Sequence, residues 1–300
     1  MTPKYLEKGD KIGIVAPARC ISFEEVHPSI KLFQKWGLEA VLGTNIFKKC
    51  NQYAGRDENR LADLQQMLDD DSIRAVICAR GGYGTVRIVD RIDFNRFRSC
   101  PKWIVGYSDI TVLHSHIHRH FGIETLHAAM PVNIASEDAR SDSLETLKNT
   151  LLGTHIQYTF PKSDLSREGI AEGRLVGGNL SILYSLMGSR SEIDTAGKIL
   201  FIEDVDEYLY HIDRMMISLK RAGKLDRLKG LIVGGMDKMN DNTIPFGKSA
   251  SEIIADVVSE YDYPVCYDFP AGHGEPNLAL ILGRTIKLKV DGEVQVAFGN

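Results

Sequence analysis

Three hundred residues with 43% hydrophobic content can bury two cores of ordinary size, so two domains are expected. A formal net charge of −4 and a pI of about 6.2 offer no basic face to nucleic acid, and a small-molecule or peptide partner fits better. Cys20, Cys50, Cys78, Cys100 and Cys266 are odd in number, scattered and free of any CxxC pair, which argues against a disulfide framework or a zinc knuckle and for reduced thiols. The start of the chain lacks a signal-peptide pattern and no apolar run reaches membrane length, so a cytoplasmic protein without a membrane partner is expected.

Through the first half, β-branched apolar runs alternate with amphipathic segments. "KIGIVAPA" reads as a strand, 23–36 and 57–69 as helices, and "IRAVICAR" as a strand running into the glycine-rich "GGYGT" and a short helix. "WIVGYS" then gives way to a helical segment from Asp109. This alternation predicts an α/β fold: an N-terminal open, mostly parallel sheet with flanking helices over 1–150, its functional loops at the carboxyl ends of the strands. Over 151–172 a proline, glycines and mixed charge suggest an interdomain linker, followed by a smaller C-terminal α/β domain over 173–300. There "GRLVGGNLSILYSLMG" reads as a turn and a helix, "KILFIEDVDE" as a strand, 208–222 as a helix, and "KGLIVGGM" as a strand. "SASEIIADVVSEY" reads as a serine-capped helix, and the end of the chain as a hairpin around Asp291-Gly292.

In "IVGYSDIT", Ser108 sits where an apolar strand ends and a helix begins, with Gly106 relieving crowding two residues earlier. A tight strand-to-helix turn presents a nucleophile clear of its neighbours, and the helix start would aim the Asp109 N–H at an oxyanion beside it. The G-x-S-x-G pattern is incomplete, since Ile110 occupies the second glycine position, and a serine before a helix is also an ordinary N-cap. "CARGGYGT" could supply a second oxyanion N–H, from Gly82 in preference to Gly81; an ordinary tight turn is the plainer reading, and the spacing fits no phosphate loop.

A base is sought among nine histidines. His114/His118 and His116/His120 have the i, i+4 spacing of zinc ligands, but without the Glu of H-E-x-x-H and on two different faces, so partly exposed polar positions, with one or two packed against the sheet, are the preferred reading. His273, in the Gly- and Pro-rich loop "FPAGHGEPNLALILG", is better placed for catalysis, although such a residue is as often structural. Glu203, at the end of "KILFIEDVDE", is the foremost orienting acid, in competition with Asp204, Asp206 and Glu207.

Taken in order, "GDKIGIVAPA", "ARGGYGT", "IVGYSDIT", "GRLVGGNLSIL", "LFIEDVDEYLYHIDRMM" and "GHGEPNLALILG" resemble the LD-carboxypeptidase family of serine peptidases over nearly the whole chain. The resemblance implies a Ser108-Glu203-His273 triad, oxyanion donors at Asp109 and Gly82, no metal or other cofactor, and a homodimer. It also implies cytoplasmic release of the terminal D-alanine from murein tetrapeptides during peptidoglycan recycling. Arg80 and Tyr107 are the expected substrate contacts, with Arg174 and Arg214 as further cations for the terminal carboxylate; for Arg214 an ion pair with Asp213 or Glu203 is the plainer role. The family also resembles microcin-immunity peptidases, which cleave an aminoacyl-nucleotide and need an aromatic surface for the base. Tyr208 and Tyr210 without a Trp around 204–212 favour the murein peptide. A noncatalytic α/β module binding a small ligand is the alternative from another class; it predicts that Ser108→Ala keeps ligand affinity.

Overall fold

The computed structural model describes residues 1–299. Two sheets lie at its centre. The first has six strands in the order β11-β5-β4-β3-β1-β2. β1 (Lys11–Val15), β2 (Glu39–Leu42), β3 (Ile73–Cys78), β4 (Trp103–Val105) and β5 (Thr125–His127) run parallel, and α1 (Phe23–Lys35), α2 (Asp57–Asp69), α3 (Asn95–Ser99) and α4 (Thr111–Phe121) lie in the connections between them. Near-continuous burial of β1, β3 and β4 is what a sheet covered on both faces requires.

The segment expected to be a linker holds a strand. After α5 (Asp142–Leu151), β6 (Gln157–Pro161) alternates exposed and covered positions and forms the edge of the second sheet. That sheet has seven strands in the order β10-β9-β8-β7-β12-β13-β6. A second departure is β7 (Gly169–Asn179), which occupies much of the stretch read as a turn. β7, β8 (Ile199–Val205), β9 (Gly230–Asp237) and β10 (Val265–Cys266) run parallel. α6 (Leu180–Ser185), α7 (Leu209–Arg221) and α8 (Ala250–Val257) are the helices of this half. α8 is capped by Ser249 and Glu252 in a reciprocal box.

The final strands divide between the two sheets. β11 (Leu280–Leu282) pairs antiparallel with β5 of the first sheet, whereas the hairpin of β12 (Thr285–Asp291) and β13 (Glu293–Phe298), turning at Gly292, belongs to the second. One apolar core consequently runs through both halves, from Trp103 and Leu126 to Phe201, Phe269 and Leu288. Arg284, between β11 and β12, donates to the Glu124 carboxylate at 2.6 and 3.1 Å and to the Tyr5 hydroxyl at 2.9 Å, joining the same halves through a buried ion pair. No helix among the described residues is long and apolar enough to cross a membrane.

Candidate active site

β4 delivers Tyr107 and Ser108 to the carboxyl edge of the first sheet, and β8 delivers Glu203 to that of the second. Ser108 is the first residue of a 3-10 turn that runs into α4, so it is not an N-cap: Tyr107 holds that position and makes no side-chain cap. The backbone of Ser108 has φ +62°, a left-handed conformation that L-residues rarely adopt and that is retained where surrounding structure enforces it. Gly106 makes the entry to this turn possible. Its φ is +153°, and a methyl carbon placed there would stand 2.9 Å from Ile110 Cγ1, so the isoleucine at the missing glycine position of the motif closes over Gly106. Room beside the serine is left by Gly81, where a methyl carbon would lie 2.8 Å from Ser108 Cβ and 3.0 Å from its Oγ.

Two links fix this turn. Asp109 is buried, and its Oδ2 accepts the Thr85 N–H at 2.8 Å, tying the serine turn to the end of the glycine-rich loop. Burial raises the Asp109 carboxyl above the ordinary value. Thr111 Oγ1 accepts the Asn179 N–H at 3.0 Å, and Asn179 is the register partner of Glu203 across β7 and β8. One hydrogen bond and one strand pairing therefore set the serine turn against the acid.

The four carboxylates at the end of β8 separate cleanly. The register with β9 shifts between Ile202 and Asp204, and both successive carboxylates, Glu203 and Asp204, are buried. Glu203 Oε2 lies 2.7 Å from His273 Nδ1. Asp204 accepts from Asn179 Nδ2 at 2.9 Å and from the Ser181 N–H at 2.8 Å, which anchors the start of α6. Asp206 accepts from Asn240 Nδ2 at 2.8 Å, and Glu207 pairs with His211 at 2.6 Å. Burial, reinforced by the Glu203 charge, pushes the Asp204 carboxyl up to about 6 despite these donors. Burial also draws the His273 imidazole down, but the Glu203 hydrogen bond and the charges of Glu203, Asp204 and Asp237 outweigh it, and the ring titrates above the ordinary histidine value.

Ser108, His273 and Tyr107 share the lining of a cavity of about 470 Å³, together with Gly81, Gly82, Arg80 and Arg19. The His273 ring meets the Tyr107 ring edge-on at 4.9 Å, and the Tyr107 hydroxyl accepts from Asn133 Nδ2 at 3.1 Å. With Nδ1 committed to Glu203, Nε2 is the nitrogen left for chemistry. No hydrogen bond joins Ser108 Oγ to the His273 ring among the described residues. The Gly82 N–H donates to no backbone carbonyl among the described residues, and Asp109 stands in the first turn of its helix, where N–H groups lack intrahelical partners.

The remaining expected residues are dispersed. Arg80 reaches the cavity, but its guanidinium donates to the Cys20 carbonyl at 3.2 Å and to Glu25 at 3.3 Å. Arg174 is exposed on β7 opposite Thr285 and lies outside the cavity lining. Arg214 lies over the Tyr210 ring at 5.1 Å, and the pairing expected with Asp213 or Glu203 does not occur. In the histidine cluster His114 and His116 are buried, His118 is half-buried and His120 is exposed, as expected of positions with one or two packed inward, and the members turn to separate partners: His114 to the Gly106 carbonyl at 2.8 Å, His116 to Ser191 Oγ at 2.9 Å, His118 to Thr125 Oγ1 at 3.1 Å and His120 to the Arg190 carbonyl at 3.0 Å. Burial holds His114 down at about 4, which keeps it neutral beneath the serine turn. Arg19 is the charged cavity residue that sequence reasoning missed; its only signal is a place four residues beyond the end of β1.

Two family models match the chain, the LD-carboxypeptidase N-terminal domain over residues 12–128 and the LD-carboxypeptidase C-terminal domain over residues 172–288. A probable murein peptide carboxypeptidase of Bacillus subtilis is 40% identical over 288 residues, covering 94% of this chain and 89% of that protein. The crystal structure of muramoyltetrapeptide carboxypeptidase from Oxalobacter formigenes superposes with a TM-score of 0.89 at 26% identity, over 97% of this chain and 99% of the other. The microcin C7 self-immunity protein MccF superposes with a TM-score of 0.88 at 21% identity, over 99% and 98% of the two chains, a likeness of fold. With both halves matched and a relative this similar over almost its whole length, the chain belongs to the LD-carboxypeptidase family and is a hydrolase of the serine-type carboxypeptidase class.

Proposed function

We propose that the protein is a serine LD-carboxypeptidase that removes the terminal D-alanine from murein tetrapeptides in cytoplasmic peptidoglycan recycling, and that it works as a homodimer. The observation that carries the mechanism is the pairing of a left-handed Ser108 with a Glu203–His273 contact of 2.7 Å on one cavity. His273 Nε2 takes the Ser108 proton as Oγ bonds to the scissile carbonyl carbon. The carbonyl electron pair moves onto oxygen, where the N–H groups of Asp109 and Gly82 receive it. Collapse breaks the C–N bond as His273 gives the proton to the departing D-alanine amine. Water then attacks the ester and yields its proton to His273, which returns it to Ser108. Glu203 holds the ring in the required tautomer and stabilises the imidazolium, while Tyr107 and Arg80 form the wall along which the peptide lies.

Relatives named for murein peptides support this substrate. Tyr107 is the one Tyr or Trp ring on the cavity wall among the described residues, whereas Tyr208 and Tyr210 are exposed and lean on each other at 5.7 Å outside that lining, which favours the murein peptide over the aminoacyl-nucleotide. Incubation with disaccharide tetrapeptide followed by mass spectrometry tests the proposal. Loss of one alanine is expected; an intact peptide beside a cleaved aminoacyl-adenylate analogue overturns it.

A further inference from the structure

We propose that Arg19 is the cation that receives the free α-carboxylate of the substrate's terminal residue, an inference that rests on the carboxypeptidase reading above. Only one residue separates the scissile carbonyl from the terminal carboxylate, so the carboxylate's partner must stand beside the groups that hold the oxyanion. Two arginines line the cavity among the described residues, Arg19 and Arg80. Arg80 is occupied by Glu25 and the Cys20 carbonyl. The Arg19 guanidinium enters no hydrogen bond or ion pair among the described residues, and its backbone is held on two sides. Its N–H donates to the Gly81 carbonyl at 3.3 Å, and it forms an isolated antiparallel bridge with Tyr53.

The side chain is also directed. Its stem lies across Gly82, where a methyl carbon would meet Arg19 Cβ at 2.9 Å and Cδ at 3.2 Å. The glycine turn thus carries both the proposed oxyanion donor and the arm that presents the charge. Asp206 and Glu207, also on the cavity wall, repel a carboxylate, so among the charged groups there its partner is an arginine. A planar guanidinium with parallel N–H donors suits a carboxylate, and an ammonium on the same stem would not reproduce that fork.

The test uses the full chain and two tetrapeptides that differ only at the C-terminus, D-alanine against D-alaninamide. Wild type is expected to favour the acid by about 30-fold or more in kcat/KM, the scale of a charge-assisted pair. Arg19→Ala and Arg19→Gln should both bring the acid down to the level of the amide while changing the amide less than about threefold. Arg80→Ala should leave the preference in place. Equal losses on both peptides in either Arg19 variant, or a preference abolished by Arg80→Ala, overturn the proposal. Calorimetric binding of the same peptides to Ser108→Ala, with and without Arg19→Gln, reads the subsite without turnover. Arg19-dependent preference for the acid there supports the subsite even if wild type releases no D-alanine, a result that would sink the peptidase reading alone; equal affinity for the two peptides sinks the subsite.

Discussion

Replacing Glu203 by Gln removes one charge at nearly constant volume and separates the catalytic from the structural meaning of the Glu203–His273 contact. Glu203 is fully buried; Oε2 holds His273 Nδ1 at 2.7 Å, and Oε1 has no partner among the described residues. In the resting protein two effects oppose each other. A hydrogen bond to a charged group contributes about 1.5–3 kcal/mol, and burying a carboxylate costs several kcal/mol. With one oxygen orphaned they nearly cancel, so the folding free energy should change by less than about 1 kcal/mol in either direction. No such cancellation helps the transition state, in which His273 becomes a cation. Amide replacements of triad acids lower kcat by about 10⁴-fold, equivalent to roughly 5.5 kcal/mol at 1.36 kcal/mol per decade. The pH profile supplies a second reading. His273 is raised in the wild type, so the stability tied to its protonation is present below the unfolded pKa and is lost as pH rises through the folded one. In the Gln variant burial, the largest influence on the ring, is opposed only by weaker charges, and the acid limb of kcat/KM should move to lower pH. D-alanine release across pH, together with thermal unfolding, measures both. A variant within about tenfold of wild type with an unmoved acid limb refutes the catalytic role; a loss of more than about 3 kcal/mol in stability would make Glu203 a structural residue instead.

Ser108→Ala should abolish turnover with the fold intact, and Ser108→Gly should be the more stable of the two by about 1 kcal/mol, because only glycine occupies φ +62° without strain; chemical denaturation compares them, and equal stabilities would contradict the strain. Gly81→Ala should cut kcat/KM by about 10²-fold or more, the scale of a lost oxyanion donor, since its methyl displaces Ser108; steady-state kinetics within threefold of wild type would show that the turn yields without consequence. Glu124→Gln strands Arg284 in a buried position and should cost about 3–5 kcal/mol in urea unfolding; a change under about 1 kcal/mol would mean that water already reaches the pair.

Elements with strong local signals were readable in the chain. The Ser249 cap of α8, the Gly292 turn between β12 and β13, and the apolar runs of β1, β3 and β4 each declare themselves within a dozen residues, whereas the short β2 and β5 carry no such run. β7 was not readable, because Gly173, Gly177 and Gly178 lower its strand propensity. Two of those glycines answer tertiary demands: a methyl on Gly177 would fall 1.9 Å from the Phe201 carbonyl oxygen, and one on Gly178 2.5 Å from Thr111 Oγ1. Ser108, Glu203 and His273 could be nominated from their places at strand ends. The left-handed backbone of Ser108 and the sorting of four neighbouring carboxylates among four partners depend on contacts between distant segments. Arg19 gives no local sign for the same reason, as its neighbours in space, Gly81 and Gly82, are more than sixty positions away in the chain.

The placement of β11 has a consequence for how this molecule can be divided. A fragment ending near residue 150 would keep β5 but lose the strand that covers its free side, leaving unpaired N–H and C=O groups along an apolar rim. Such a rim invites edge-to-edge association between copies. The amino-terminal half, although it carries Ser108 on a nearly complete layer of its own, should therefore precipitate or self-associate when expressed alone, and should regain solubility when a peptide spanning Leu280–Leu282 is supplied in trans.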